Sequence, residues 1–158
     1  MSDLRPEFSK IQMPHVRVGV VTARWNSQIT EILETGALQY LSEAGVTQTQ
    51  VVRVPGAFEI PLAAQALLQS GVDAVVALGA VIRGETTHYE SICEAVERGC
   101  TELQLKFTKP VAFGVITTEN LQQALDRAGG KHGNKGYEAA QVALEMIKLV
   151  KSINPPSN

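Results

Sequence analysis

Cysteine is scarce in this chain: Cys93 and Cys100 are the only two. Seven residues apart on one helix, they would stand about 10.5 Å apart along its axis, too far for an intrachain bridge. Both are therefore expected to be reduced and buried, as in a cytosolic protein. An excess of either charge is also lacking. The 14 Lys and Arg against 16 Asp and Glu leave a net charge of −2 at pH 7, which gives no electrostatic footprint for nucleic acid and no basic run for a membrane surface. No apolar run reaches transmembrane length. The first fifteen residues contain no apolar signal-type core, so the expected location is the cytoplasm. No Walker pattern occurs, and no serine sits in a nucleophile elbow. His15, His88 and His132 lie far apart, with no cysteine or carboxylate at metal-ligand spacing, which argues against a zinc site. Internal repeats and low-complexity segments are missing too.

What is there describes an ordinary globular domain. The 158 residues, 44% hydrophobic and 19% charged, suit one domain with a proper core. The most informative stretch is 73–90. Residues 74–82 form an apolar run, as a central parallel strand buried between helix layers requires. After Arg83-Gly84-Glu85-Thr86, the pair Thr87 and Glu90 reads as a capping box that opens a helix. That helix's free N–H groups would then lie just past the carboxyl end of the strand, where open α/β sheets bind ligands and phosphates find donors. His88 stands on this first turn. The residue is placed either to move protons or to serve as a solvated neighbour of the cap.

Around this unit the chain alternates strand and helix. Residues 1–15 are a polar, proline-containing arm, 16–153 a single domain and 154–158 a flexible tail. Strands are expected at 16–22, 49–54, 74–82 and 111–117. The helices between them are capped by Asn26 and Thr118, stop at Gly45 and at Gly129-Gly130, and end with one from Tyr137 to about Lys151. This pattern predicts an α/β fold: a flavodoxin-like three-layer αβα sandwich on a four-stranded parallel sheet of order 2-1-3-4. The arm has no place in the alternation and is available to cover a sheet edge.

A parallel sheet of this kind collects the residues after each strand on one rim: Trp25, Phe58 and Glu59, the 83–88 segment, and Thr117-Thr118. Together an aromatic face, a carboxylate, a histidine and a helix end suit a planar heterocycle and a sugar phosphate. Singly, each has a plainer reading. Glu59 can be a helix-start acid, Phe58 and Phe113 core residues, Arg127 a solvated helix charge, and a lone tryptophan is normally buried. The turn 23–27 has no glycine, which excludes a dinucleotide fingerprint and a flavodoxin-type phosphate loop.

Four segments in order, Ala23-Arg24-Trp25-Asn26, the stretch 54–61, the stretch 79–89 and the stretch 127–136, closely resemble the 6,7-dimethyl-8-ribityllumazine synthase family. The resemblance covers about 16–153. It implies condensation of 5-amino-6-(D-ribitylamino)uracil with 3,4-dihydroxy-2-butanone 4-phosphate, the penultimate step of riboflavin synthesis, with no cofactor and no metal. Carried over residue by residue, it implies that Trp25 stacks on the pyrimidine, often phenylalanine in relatives. Ala57, Phe58, Glu59, Ala80, Val81 and Ile82 would line the pocket, and Glu85 and Thr86 would form the phosphate turn. Many relatives have alanine or serine in place of Glu85, so its backbone N–H is the part carried over. His88 would be the proton-transfer residue. Phe113 and Arg127 would close the site from a neighbouring subunit, Arg127 gripping phosphate, with Lys135 and Glu138 near it. The same resemblance implies a homo-oligomer, either a pentamer or a shell of sixty chains built from twelve pentamers, in which the N-terminal arm adds a strand to a neighbour's sheet. Riboflavin synthase is a candidate partner, and neither nucleic acid nor membrane is expected. The short turn 129–133 resembles the shell-forming pattern. The rival readings are a non-catalytic flavin- or lumazine-binding homologue, a purely structural shell protein, and an unrelated flavodoxin-like binding domain. The first would be expected to lose His88 or Arg127; both are present.

Overall fold

The computed structural model describes residues 5–155. Positions 1–4 of the arm and 156–158 of the tail lie outside the described residues.

The elements follow in the order β1 (Arg17–Ala23), α1 (Ser27–Glu43), β2 (Gln48–Val54), a 3-10 turn (Ala57–Glu59) running into α2 (Ile60–Gln69), β3 (Ala74–Ile82), α3 (His88–Phe107), β4 (Val111–Thr118), α4 (Leu121–Arg127), β5 (Ala128–Gly130), β6 (Gly133–Asn134) and α5 (Lys135–Ile153). The main sheet has the order β2-β1-β3-β4, and every pairing in it is parallel. This is the expected flavodoxin-like sandwich. Alternation along the two central strands divides the core. Val18, Val20, Val76 and Leu78 face one cluster with α1 and α5, whereas Val21, Val75 and Ala77 face another with α2 and α3. Apolar side chains on both faces make β3 an unbroken hydrophobic run, and that run makes its limits easy to read.

Two glycines have specific duties. Gly45, at φ +75°, takes the left-handed conformation that ends α1. Gly136 lets α5 approach α1, because an added Cβ would come within 1.9 Å of the Leu33 carbonyl oxygen.

Several sequence expectations are corrected. Asn26 does precede α1, but in the left-handed conformation and without a side-chain capping bond. The capping box at α3 does not form: Thr87 occupies the cap position without a side-chain bond, and Glu90 is drawn away by Arg83. Asn120, not Thr118, caps α4 by accepting from the Gln123 N–H at 2.9 Å. The segment read as a loop before the last helix holds a small antiparallel hairpin, β5–β6. The helix itself starts at Lys135, capped by Asn134, which accepts from the N–H groups of Gly136 and Tyr137. Cys100 is buried, whereas Cys93 is only half-buried; both are free thiols. Among the described residues the arm forms no strand with its own sheet, and none of their helices is long and apolar enough to cross a membrane.

Candidate active site on the carboxyl rim of the sheet

The rim is built by the exits of β1, β2 and β3. Beyond β1 the parallel pairing continues for two residues: the Arg24 N–H donates to the Val54 carbonyl at 2.8 Å and the Trp25 N–H to the Pro55 carbonyl at 3.0 Å. This holds the backbone of Trp25 firmly while its side chain is 74% exposed. Asn26 then turns the chain in the left-handed region, which asparagine tolerates, and its amide donates to the Ala80 carbonyl at 2.9 Å. That bond ties the β1 exit to the end of β3.

On the β2 side, Ala57 and Ile60 pack beneath the rim against Gly79 of β3. Phe58 is 60% exposed and Glu59 is also exposed. Phe58 is therefore not a core residue. Ala80 is buried, and Val81 and Ile82 are partly covered. Residues 83–88 are all exposed. Within them the His88 N–H donates to Thr86 Oγ1 at 3.3 Å, and α3 begins at His88 itself. The helix thus starts six residues past the carboxyl end of β3. Trp25, Ala57, Phe58, Glu59, Ala80, Val81, Ile82, Glu85, Thr86 and His88 thus gather on one rim.

Phe113, Lys135 and Glu138 do not join them within the chain, and Arg127 sits at the far end of α4. Phe113 sits in mid-strand on the edge strand β4, paired with Ala77, whereas the rim level of β4 is Thr118, opposite Ile82. Five residues of strand place Phe113 about 17 Å back from the rim. The side chain is 40% exposed on the open edge. Arg127 closes α4 and donates to the Gln123 carbonyl at 3.0 Å. Lys135 and Glu138 open α5 as an ion pair of 3.1 Å, and Glu138 also pairs with Arg5 at 2.5 Å. Gly136 packs on Leu33, six residues into α1, so this pair lies about 9 Å below the rim along that helix.

Arg83 carries more interactions here than its sequence context announced. Its backbone N–H donates to the Thr118 carbonyl at 2.8 Å. The guanidinium is paired with Glu90 and, at 2.7 Å, with Glu119, and lies 4.5 Å from the centroid of the Tyr89 ring. The hydrogen bond from Arg83 holds the Glu90 carboxyl below its ordinary range, and Glu90 in turn raises the arginine. Two shallow hollows lie elsewhere, near the amino ends of the strands. One is lined by Arg17, Gln48 and Gln50, the other by Asp73, Lys109 and Lys151. Ligand chemistry is better placed on the rim, where aromatic faces, a histidine and a helix N-terminus converge; the hollows offer little beyond strand and helix ends. No group of three His, Cys, Asp or Glu side chains among the described residues is placed to hold a metal ion.

Fold and rim together define an α/β protein of the flavodoxin-like architecture, whose carboxyl edge carries an exposed indole, an exposed histidine and the start of a helix. Comparison with known proteins narrows this class. The family model of 6,7-dimethyl-8-ribityllumazine synthase matches residues 15–151, and the chain belongs to that family. Proteins of that name are 57% identical over 141 residues in Bdellovibrio bacteriovorus, covering 89% of this chain and 79% of the relative, and 56% identical over 132 residues in Cytophaga hutchinsonii, covering 82% and 83%. A third, from Pediococcus pentosaceus, is 48% identical over 142 residues, covering 88% and 91%.

Proposed function

We propose that the chain is a 6,7-dimethyl-8-ribityllumazine synthase, condensing 5-amino-6-(D-ribitylamino)uracil with 3,4-dihydroxy-2-butanone 4-phosphate and releasing inorganic phosphate and two waters. The observation that carries this reading is the convergence of Trp25, the 57–59 turn, the end of β3 and His88 on one rim, in a chain of this family.

The chemistry follows from the residues. An aryl amine attacks a ketone, the carbinolamine loses water, phosphate departs, and ring closure expels a second water. Each step moves a proton, and His88, exposed on the first turn of α3, is the group assigned to shuttle it. Trp25 offers its face to the pyrimidine, while Ala57, Phe58, Glu59, Ala80, Val81 and Ile82 shape the wall behind it. The backbone N–H groups of Glu85 and Thr86 and the end of α3 receive the phosphate. The rest of the acceleration comes from holding two substrates in register. No cofactor or metal is assigned a part.

Phe113 and Arg127 are assigned to the site of an adjoining copy. What supports this is distance: Phe113 is about 17 Å back from its own rim yet exposed on an edge strand, so it is free to meet another chain. Leu62, Leu105, Val142, Met146, Leu149 and Ile153 are exposed as well, apolar surface that an adjoining copy would cover. Lys135 and Glu138 are placed near that shared boundary. The assembly proposed is a pentamer, closed into a shell of sixty chains because the 129–133 turn is short. Arm residues add to a neighbour's sheet, the location is the cytoplasm, and riboflavin synthase is the proposed partner that consumes the product.

The test is direct. Purified protein given both substrates should generate lumazine absorbance that neither substrate alone produces. Saturable binding of a substrate analogue without product would reduce the chain to a lumazine-binding homologue. Light scattering should show the shell; a pentamer-sized particle across buffers would remove it, and a monomer would remove both forms.

A further inference from the structure

We infer that Arg83 is a positioning residue of this site: it neutralises two carboxylates beside the anion-binding end of α3 and ties that end to the exits of β3 and β4. The inference deepens the function proposed above and rests on it. Glu90 lies in the first turn of α3, two residues from His88, and Glu119 lies just past the end of β4. Left unpaired, both would put negative charge beside the turn that must receive a phosphate. Arg83 engages them together, one from Nη1 and the other from Nε. Its guanidinium also lies over the Tyr89 ring, and its backbone N–H holds the Thr118 carbonyl. The start of α3 and the exits of β3 and β4 therefore meet at one residue. The segment 84–87 beside it is wholly exposed, with Gly84 in open space, so the clamp is the nearest fixed point to the phosphate turn.

The geometry also explains why Glu90 does not cap its helix. Its carboxylate serves Arg83 instead of the cap. Lysine would keep the charge but cannot engage both carboxylates in the same planar fork.

The experiment is steady-state kinetics with both substrates. In Arg83→Ala, KM for the butanone phosphate should rise about 5- to 20-fold at low ionic strength, while KM for the uncharged pyrimidine stays within about twofold. That rise should shrink as salt is added, because exposed charges are screened within about 10 Å at 0.1 M. Adding Glu90→Gln and Glu119→Gln to Arg83→Ala should restore much of the phosphate KM, which repair of a merely structural defect would not do. Arg83→Lys should fall between wild type and Arg83→Ala. The inference is overturned if the phosphate KM of Arg83→Ala is unchanged or if the triple variant is no better than Arg83→Ala. Should Arg83→Ala fail to fold, Glu90→Gln/Glu119→Gln decides alone: with Arg83 unpaired, the phosphate KM should drop below wild type, and an unchanged value overturns the inference. Wild-type protein that forms no lumazine refutes the proposed function instead, so the two failures are distinguishable.

Discussion

Replacing Trp25 by alanine tests the stacking surface, and the size of its effect can be worked out in advance. The indole is 74% exposed in the chain, so a planar ligand finds an open face. One face is roughly a third of the ~150–250 Å² that an aromatic side chain can bury, or about 60 Å². At 25 cal/mol per Å² that coverage is worth about 1.5 kcal/mol. Offset stacking adds about 0.5–1.5 kcal/mol, and immobilising a free exposed side chain removes about 0.5–1 kcal/mol. A balance of about 1–2.5 kcal/mol means that Trp25→Ala should weaken heterocycle binding about five- to sixtyfold. Phosphate affinity should barely change, because backbone bonds to Val54 and Pro55 hold the turn whatever its side chain. Calorimetry reads the affinity of the variant, and in the wild type intrinsic fluorescence gives a second readout, since Trp25 is the only tryptophan and the signal has one origin. Substrate analogues and lumazine should quench it saturably. Constant fluorescence while calorimetry records a bound analogue would refute the stacking role.

His88→Ala should lower kcat by about 10²-fold with folding intact, since the side chain is exposed; near-wild-type turnover would remove it from the mechanism. Gly136→Ala should destabilise the fold, because its Cβ would meet Leu33 backbone atoms at 1.9–2.9 Å. Overpacking of about 2–3 kcal/mol should lower Tm by about 5–10 °C, and an unchanged Tm would contradict the close approach of α1 and α5. The Tyr137 phenol, which donates to Glu43 at 2.7 Å, is pushed up to about 12, chiefly by that bond. A raised folded pKa means that its stabilising contribution is complete below the unfolded value near 10 and is lost as pH rises through about 12. In a spectroscopic phenol titration, Glu43→Gln should move that step down toward 10, and no movement would dissolve the pair.

How much of this was legible beforehand depends on the range of the forces involved. The apolar run 74–82 could be read because burial on both faces leaves a pattern inside the strand, and the strand order followed from the alternation of strand and helix. Caps could not, because distant groups decide them. Asn26 is claimed by the Ala80 carbonyl, 54 residues away, and Glu90 by Arg83, and neither competition shows in local spacing. The β5–β6 hairpin was hidden among glycines whose positive φ values, at Gly129 and Gly133, only the folded chain reveals. Trp25 after β1 and His88 after β3 could be assigned to strand exits from the sequence, because parallel topology leaves such residues nowhere else to go. Arg83 was visible only as one more polar residue after a strand. For Phe113 and Arg127 the periodicity said core and solvated charge. A second chain could be inferred for them only from the resemblance; for Phe113 the register on β4 is consistent with it, about 17 Å from the chain's own rim.

That shared site can be tested by mixing two inactive proteins. His88→Ala and Arg127→Ala, each purified alone, should be nearly inactive, and co-assembling them from dissociated chains in equal amounts should restore activity. If His88 from one chain and Arg127 from its neighbour meet across a head-to-tail interface, random mixing leaves about one site in four with both residues intact. A site divided between neighbouring chains therefore predicts recovery to about a quarter of the wild-type rate, whereas no recovery in mixed particles confirmed to contain both variants would place both residues in one chain's site and contradict it.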